Sequence, residues 1–559
     1  MLMPLVYRSV IPFYYRRYKR FIANAHGARE KQRQVLLEKI RRNADSDFGR
    51  EHGFSQIKSI EDFRRHVPIS NYEHYRPYIE RVKKGHETAM FAAGTKILMF
   101  AMTSGTTDKS KFIPVTQEFF NEYRQSWLTW AGRNYGQHTD QAWKKTLQLS
   151  SNWQQLYTEA GIPCGSISGL TAELAPKYTR SVFIVPLPVI KIKNAAAKHY
   201  AALRISMASP NVGMIITANP STLLEFARRA DNQRESLIRD IHDGTLAKEI
   251  DVDPAIRQAL SRYTRRRDPA RARQLEALAV QHGTLYPKEF WPQLSLIAVW
   301  MGGSVGVYLP QLKEFYGNTA LRDHGLTASE GRMTIPIEDG TSTGVLDYVS
   351  HFYEFIPEAE IDRENPTVLE AHELEIDKNY FILLSTSGGL YRYNIHDVVQ
   401  CVGYEGQVPL LNFLNKGVNF SSITGEKLSE FQVVSAAKWS FEELALPVES
   451  FTIAPIMKGD HPGYVLLVEP SDKGRNNEEF ARRVEHHLKT LNMEYSDKLE
   501  SGRLRPLSVI EIPSGTWHSY RIMRTSERGN FEEYKHPYLV GDLSFVEKLA
   551  GQVAKQSPK

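Results

Sequence analysis

Apolar and polar positions change period several times along the chain, and each change predicts an element. From residue 27 to 80 the period is helical, as in Gln34-Val35-Leu36-Leu37-Glu38-Lys39-Ile40, with breaks expected at Gly49 and Pro68. Ile97-Leu98-Met99-Phe100-Ala101-Met102 is an unbroken apolar run and predicts a buried strand. Residues 116–135 return to helical spacing, opening at Thr116 with an acid at Glu118. Phe119, Phe120, Tyr123, Trp127 and Trp130 then recur at three- and four-residue steps, which sets one helix face on something apolar. That something is either the core or the wall of a site for an apolar substrate. Val182 to Ile190 is apolar but interrupted by Pro186 and Pro188, and Val212 to Pro220 reads as strand, turn and helix start. Such alternation predicts α/β layers. Beyond a break between about 411 and 420 the tail has its own pattern, with strands at 463–469 and 507–512 and a helix at 477–491 between them. We therefore expect a large layered α/β N-terminal domain, residues 1–414, and a smaller α+β C-terminal domain, residues 415–559, with a hinge near 412–420.

Composition changes this picture little. A chain of 559 residues is too long for one core and long enough for two or three domains. The net charge of +6 is mild over that length and suits small anions such as nucleotides and carboxylates as readily as nucleic acid. Arginines crowd the stretch from Arg257 to Arg273, but Tyr263 is the one aromatic among them. A nucleic-acid surface would interleave more, so a solvated helix pair is expected there and no nucleic-acid partner. Cys164 and Cys401 are far apart, which argues against a disulfide framework and fits a reducing cytoplasm. Residues 1–22 mix Leu2, Val6 and Ile11 with Arg8, Arg16, Arg17, Lys19 and Arg20, and no small-residue cleavage site follows. They read as a helix rather than a signal peptide, with a membrane-surface role as a second reading. No run of eighteen apolar residues occurs, so no membrane insertion is expected.

The chemistry-bearing stretch follows the first predicted strand: Thr103-Ser104-Gly105-Thr106-Thr107-Asp108-Lys109-Ser110-Lys111. Gly105 would let backbone N–H groups approach an anion, the hydroxyls would donate to it, and the lysines add charge. The same composition suits a polar hairpin turn, and the Walker spacing is absent. Gly302-Gly303-Ser304-Val305-Gly306 satisfies the serine hydrolase elbow pattern after the apolar strand Leu294 to Val299, with Asp397 and His518 among later acid and base candidates. The pattern is short and arises readily by chance.

Several further motifs occur in a fixed order. Ser46-Asp47-Phe48-Gly49-Arg50-Glu51-His52-Gly53-Phe54 and Val67-Pro68-Ile69-Ser70-Asn71-Tyr72-Glu73 precede the Ser/Thr-rich loop. Phe355-Ile356-Pro357, Gly389-Leu390-Tyr391-Arg392-Tyr393, Gly425-Glu426-Lys427-Leu428 and a final Lys535 follow it. Together with the loop itself, this series resembles the auxin-responsive, Gretchen Hagen type, acyl-acid amido synthetases and their bacterial relatives, within the adenylate-forming superfamily. The resemblance runs over nearly the whole chain.

That resemblance implies roles. Ser104, Gly105, Thr106, Thr107 and Lys111 would hold nucleotide phosphates. In His324-Gly325-Leu326-Thr327-Ala328-Ser329-Glu330-Gly331, Thr327, Ala328 and Ser329 would bind phosphate or adenine, and Glu330 would be the magnesium carboxylate; a capped turn is the alternative. Leu326 stands where the family has Tyr, so the adenine would stack elsewhere, on Phe352 or Tyr353. Asp397 would hold both ribose hydroxyls. His396 stands where the family has Gly, which strains the backbone if that position needs positive φ. Lys416 replaces the usual hinge Arg, losing a planar guanidinium. Lys427 would reach the nucleotide, and Lys535, on a mobile C-terminal domain, would be catalytic.

The implied cofactors are ATP and magnesium. The implied reaction adenylates a carboxylic acid, then transfers the acyl group to an amine, most simply an amino acid, forming a C–N bond. Coenzyme A as acceptor is an alternative that the residues leave open, and a hydrolase acting through Ser304 is another.

Overall fold

The structure, a computed structural model, describes residues 2–103, 111–302, 309–361, 363–416, 420–444, 450–459, 461–470, 476–517, 519–520, 523 and 536–556. The chain divides into two compact units, one running to Asn415 and the other beginning at Lys416.

Among the described residues, the first unit has three sheets of four or more strands. Ile97–Thr103 pairs antiparallel with Lys111–Thr116, Thr103 opposite Lys111, and parallel with Pro163–Gly165. A second sheet is wholly parallel, in the order Lys145–Gln148, Val212–Ile216, Leu296–Ala298, Ala320–Arg322. Helices between its strands, such as Pro220–Asn232, supply the crossovers that parallel strands require. A seven-stranded sheet contains Phe352–Pro357, Asn379–Ser385 and Tyr393–Glu405 as antiparallel neighbours. The apolar strand and the α/β alternation are thus as the pattern predicts.

The aromatic helix is Gln117–Gln137, capped by Thr116, whose side chain accepts from the Phe119 N–H at 3.1 Å. Phe119, Phe120, Tyr123 and Trp130 are buried in the main core, and Trp127 is half-buried against it. The N-terminal helix Leu2–Ala23 lies along this helix: Tyr7 bonds Tyr135, and the Arg17 Nε donates to Thr129 Oγ1 at 2.9 Å. No described helix is long and apolar enough to cross a membrane.

Two expectations are corrected. Gly49 does not break the helical region but lies inside the short helix Asp47–Glu51. A Cβ there would meet the Asn43 carbonyl at 2.1 Å, so glycine serves close approach, and the break falls at Gly53, where φ is 60°. The Arg-rich pair Pro254–Thr264 and Pro269–His282 is not solvated throughout. Arg271 is buried and donates to the Met207 and Phe290 carbonyls at 2.9 and 2.8 Å, and Arg257 gathers the carbonyls of Leu246, Ala247 and Ile250. These cations satisfy backbone carbonyls that would otherwise be orphaned.

In the second unit, Phe451–Lys458 pairs antiparallel with His461–Val468, which pairs parallel with Arg505–Glu511. The helix Asn477–Leu491 makes that crossover, and its Phe480, Val484 and Leu488 pack on Ile453 and Leu466 in an α+β core.

Candidate active site

The parallel strand Ala320–Arg322 ends at Asp323, and carboxyl ends of parallel strands are where open α/β sheets hold ligands. Here the chain turns sharply at Gly325, whose φ is 90° and where a Cβ would lie 2.1 Å from the Thr334 carbonyl oxygen. Thr327–Ala328 then pairs antiparallel with Gly331–Arg332, and Ser329 and Glu330 form the two-residue turn between them. Thr327, Ala328 and Ser329 are half-buried, and Glu330 is buried. Among the described residues no group of three or more His, Cys, Asp or Glu could hold a metal, and Glu330 sits at a tight turn. Leu326 is buried in the core, as are Phe352 and Tyr353, at 1% and 0% exposure. Neither ring has an open face for an adenine, which corrects that expectation.

Asp397 is positioned by an irregularity in the strand Tyr393–Glu405. Asn394 faces Leu383 and Val398 faces Phe381, so three residues, Ile395, His396 and Asp397, oppose Ile382 alone. Such a bulge re-aims side chains. It is made by His396 at φ 61°, whose N–H is held by Asn394 Oδ1 at 2.8 Å. Among the described residues, non-glycine positive φ occurs at Asp377, Arg392, His396 and Lys427, so three of these four lie in the motifs singled out from sequence.

Lys111 meets Tyr393, and the charges of Glu330 and Asp397 act on the same residue. The Lys111 Nζ donates to the Tyr393 hydroxyl at 3.3 Å, and it lies 5.7 and 6.0 Å from the ring centroids of Tyr72 and Tyr393. Burial pushes the Tyr393 hydroxyl well above the usual phenol range, and the carboxylates of Glu330 and Asp397 add to that. Tyr393 is buried and central, yet the motif reading gave it no role. Its position as the third residue of Tyr391-Arg392-Tyr393 was the signal available.

The rest of that motif is scaffolding. The Arg392 Nε donates to Glu354 Oε2 at 2.9 Å, and its Nη1 donates to the Val67 carbonyl at 2.9 Å. Arg64 holds the other oxygen of Glu354 at 2.8 Å. The Asn394 N–H donates to the Ser70 carbonyl at 2.8 Å, and Tyr75 is bonded to Tyr391. The early Val67–Glu73 motif therefore braces the strand that carries Asp397.

A second buried cluster lies where the Thr327–Arg332 hairpin meets the aromatic helix. Arg332 stacks 3.9 Å from the Trp127 ring centroid, and His324 sets its ring edge-on to Trp127 at 5.4 Å. Burial and the Arg332 charge hold the His324 imidazole down to about 3, so it is neutral near pH 7. Burial pushes the Asp323 carboxyl up to about 7, although the N–H groups of Gly325 and Met301 donate to it. Sequence reasoning assigned no part to Arg332, and nothing in its spacing distinguished it from a solvated arginine.

Lys427 belongs to the second unit, at φ 45° and half-buried, after a loop folded around Glu426. Glu426 is buried and accepts from the N–H groups of Ile423 and Thr424 at 2.8 and 2.7 Å and from Tyr464. Ser104, Gly105, Thr106, Thr107, Ser304, His518 and Lys535 lie outside the described residues.

Three segments match family descriptions: residues 17–321 the GH3 family N-terminal domain, 344–416 the GH3 family central domain, and 431–544 the GH3 family C-terminal domain. Among characterised proteins, the chain is 23% identical over 547 residues to an indole-3-acetic acid-amido synthetase of Arabidopsis thaliana, covering 93% of this chain and 91% of that one. It is 26% identical over 542 residues to a jasmonoyl-L-amino acid synthetase of Oryza sativa subsp. japonica, covering 91% and 92%. Among solved structures, an acyl acid amido synthetase in complex with 2,4-DB superposes with a TM-score of 0.65 at 19% identity, covering 96% of this chain and 95% of that one. A 2-hydroxyisobutyryl-CoA ligase in complex with its acyl-AMP and CoA superposes with a TM-score of 0.51 at 12% identity, covering 94% and 93%. At those identities the superpositions show a shared adenylate-forming fold.

Proposed function

The chain belongs to the GH3 family, and on that premise we propose that it is an ATP-dependent acyl-acid amido synthetase. The acid's carboxylate attacks the α-phosphorus of ATP, and pyrophosphate leaves. The nitrogen of an amine, an amino acid by analogy with the relatives, then attacks the acyl carbonyl; AMP leaves and the amine loses a proton.

Both reactants of the first step are anions, so the site must neutralise charge as they meet. Lys111 brings a cation to the first residue after the Ser/Thr-rich loop, and the N–H groups and hydroxyls of Ser104, Gly105, Thr106 and Thr107 hold phosphate oxygens. Thr327, Ala328 and Ser329 meet the nucleotide along the hairpin. A single protein carboxylate suffices for magnesium that arrives on ATP, because that ion takes few protein carboxylates and fills its shell with phosphate oxygens and water. Glu330 would hold it there, and bound magnesium would screen the phosphate charge. The re-aimed Asp397 accepts from the two ribose hydroxyls. Lys427 and Lys535 act from the C-terminal part, residues 415–559, with Lys535 stabilising the charge that develops on the phosphate. Residues 1–414 hold the nucleotide and the acid.

The observation that carries the reading is that the Lys111 Nζ meets the buried Tyr393 hydroxyl, on which the charges of Glu330 and Asp397 also act, so that three motifs far apart in sequence bear on one group. A reducing, cytoplasmic setting belongs to the reading too; Cys164 and Cys401 are buried free thiols.

The test is acid-dependent pyrophosphate release from magnesium ATP over a panel of carboxylic acids, for wild type, Asp397→Ala and Lys535→Ala. Release by wild type with at least one acid, reduced about a hundredfold or more in both variants, is the expected result. Release that survives in both would overturn these roles. Supplying amino acids or coenzyme A and following the acylated product then identifies the acceptor.

A further inference from the structure

Other buried arginines among the described residues each have a carboxylate or at least two acceptors, although Arg322 keeps one unpartnered Nη1. Arg204 donates to the Thr245 and Thr264 carbonyls at 2.9 Å each. Arg322 binds Asp339 and Gln137, each at 2.7 Å, and Arg392 binds Glu354 and the Val67 carbonyl. Arg332 differs in having two open donors and no bonded carboxylate. It is 0% exposed, and its Nη2 donates to the His324 carbonyl, but its Nε and Nη1 have no hydrogen-bond partner among the described residues. No carboxylate among those residues lies within ion-pair distance of it: the oxygens of Asp323 accept backbone N–H groups, Asp347 binds Ser350 through one oxygen and leaves the other unpartnered, and both carboxylates favour the Arg332 charge only from a distance. The neighbouring His324 is in the same condition, with Nε2 unpartnered. A guanidinium sealed from water with open donors is costly unless an anion completes it.

Its place in the fold says which anion. Arg332 follows Glu330 by two residues on the hairpin, roughly 6.6 Å along extended chain, and its guanidinium lies on Trp127 of the aromatic helix. It therefore stands a short way along the hairpin from the proposed magnesium carboxylate, beside the half-buried Trp127. A carboxylate neutralised by this guanidinium would be a poor nucleophile toward ATP, so the anion is not the group that reacts.

We propose that Arg332 is a specificity-determining residue that binds a second anionic group on the acyl acid, remote from the carboxylate that is adenylated, so that the preferred substrates are dicarboxylic or otherwise doubly acidic molecules whose apolar middle lies along Trp127. This rests on the adenylation reading for the identity of the reaction, but not for the binding it predicts.

The experiment uses matched pairs of acids, benzoate with terephthalate, hexanoate with adipate and decanoate with sebacate. Wild type, Arg332→Met and Arg332→Lys are compared. Affinity for each acid is measured by calorimetry, and kcat and KM by pyrophosphate release. Wild type should favour the doubly acidic member of at least one pair by about tenfold or more, with the gain in Kd and KM rather than kcat. Arg332→Met should lose that preference while keeping its affinity for magnesium ATP, and Arg332→Lys should keep part of it. Preference for the singly acidic member in every pair, or a preference that survives in Arg332→Met, overturns the proposal and leaves Arg332 as a buried structural cation. If Arg332→Met fails to fold, the wild-type pairs and Arg332→Lys decide. An Arg332-dependent preference in Kd without any pyrophosphate release would sink the adenylation reading and leave this one standing.

Discussion

His396 holds the chain at φ 61°, a region that costs an L-residue about 1–2 kcal/mol. Glycine would relieve that strain but lose roughly 0.5–1 kcal/mol to backbone entropy in the unfolded chain. His396→Gly is therefore expected to stabilise the protein by a net of about 0.5 kcal/mol, read as a shift in urea midpoint at unchanged slope. The bulge itself is kept by the Asn394 Oδ1 contact with the residue 396 N–H, so Asp397 should stay in place and the KM for ATP should change by less than about threefold. A clear loss of stability would mean that the imidazole's own contacts, including its edge-on approach to Phe381 at 6.5 Å, outweigh the strain. The sequence made this residue visible because it broke a motif at a glycine. Arg332 broke no motif, and only its burial distinguishes it.

The helix Gln117–Gln137 was the most legible element, since its aromatic period and its Thr116 cap can both be read in one dimension. The cap has a second task that cannot: Thr116 Oγ1 also donates to the Ser387 carbonyl at 2.9 Å, tying the helix start to the turn before Tyr391. Thr116→Ala should cost about 2 kcal/mol, one for the lost cap and one for the stranded carbonyl, while Thr116→Ser should cost less than half of that. Chemical denaturation of both variants checks it, and equal losses would mean that the methyl group matters rather than the hydroxyl. The same contrast explains what the sequence hid elsewhere. Strands at 97–103, 212–216 and 461–468 follow from apolar runs, but the bulge at 395–397 is a register event between strands and leaves no periodic trace. The Arg-rich helices misled for a related reason, because composition reports charge and not the carbonyls that Arg257 and Arg271 fold back to meet. The hairpin with Glu330 at its turn was legible as a motif by resemblance, whereas its convergence with Lys111 and Asp397 on Tyr393 required the fold.

At the scale of the whole molecule, two adjacent buried residues make opposite demands on pH. Burial raises Asp323 from 3.8 to about 7, so between those values the folded state holds a proton that the unfolded chain releases. Its contribution is complete below 3.8 and is lost as pH rises toward 7. Burial and Arg332 lower His324 from 6.5 to about 3, so there the unfolded chain holds the extra proton. Its contribution is complete above 6.5 and is lost as pH falls toward 3. Each slope is about 1.4 kcal/mol per pH unit where fully developed, and in the shared range they oppose one another. Wild-type stability should therefore be nearly flat from pH 6 to 5 as far as this pair is concerned. Loss should begin nearer pH 4.5, where Glu122, held at about 2 because Lys39 and His351 outweigh its burial, starts to lose its advantage. Asp323→Asn removes one of the opposing slopes and should make stability fall with acidification from pH 6.5 downward. His324→Gln removes the other and should make stability rise with acidification over the same range. Urea midpoints at pH 5, 5.5, 6 and 6.5 measure this as slopes, so the overall destabilisation either variant carries does not enter. Parallel slopes in all three proteins would mean that neither group titrates in that window and that the pair is uncoupled from folding. Divergence in the stated directions would instead show that the carboxyl end of the Ala320–Arg322 strand is dry enough to keep Asp323 protonated and His324 neutral beside Arg332.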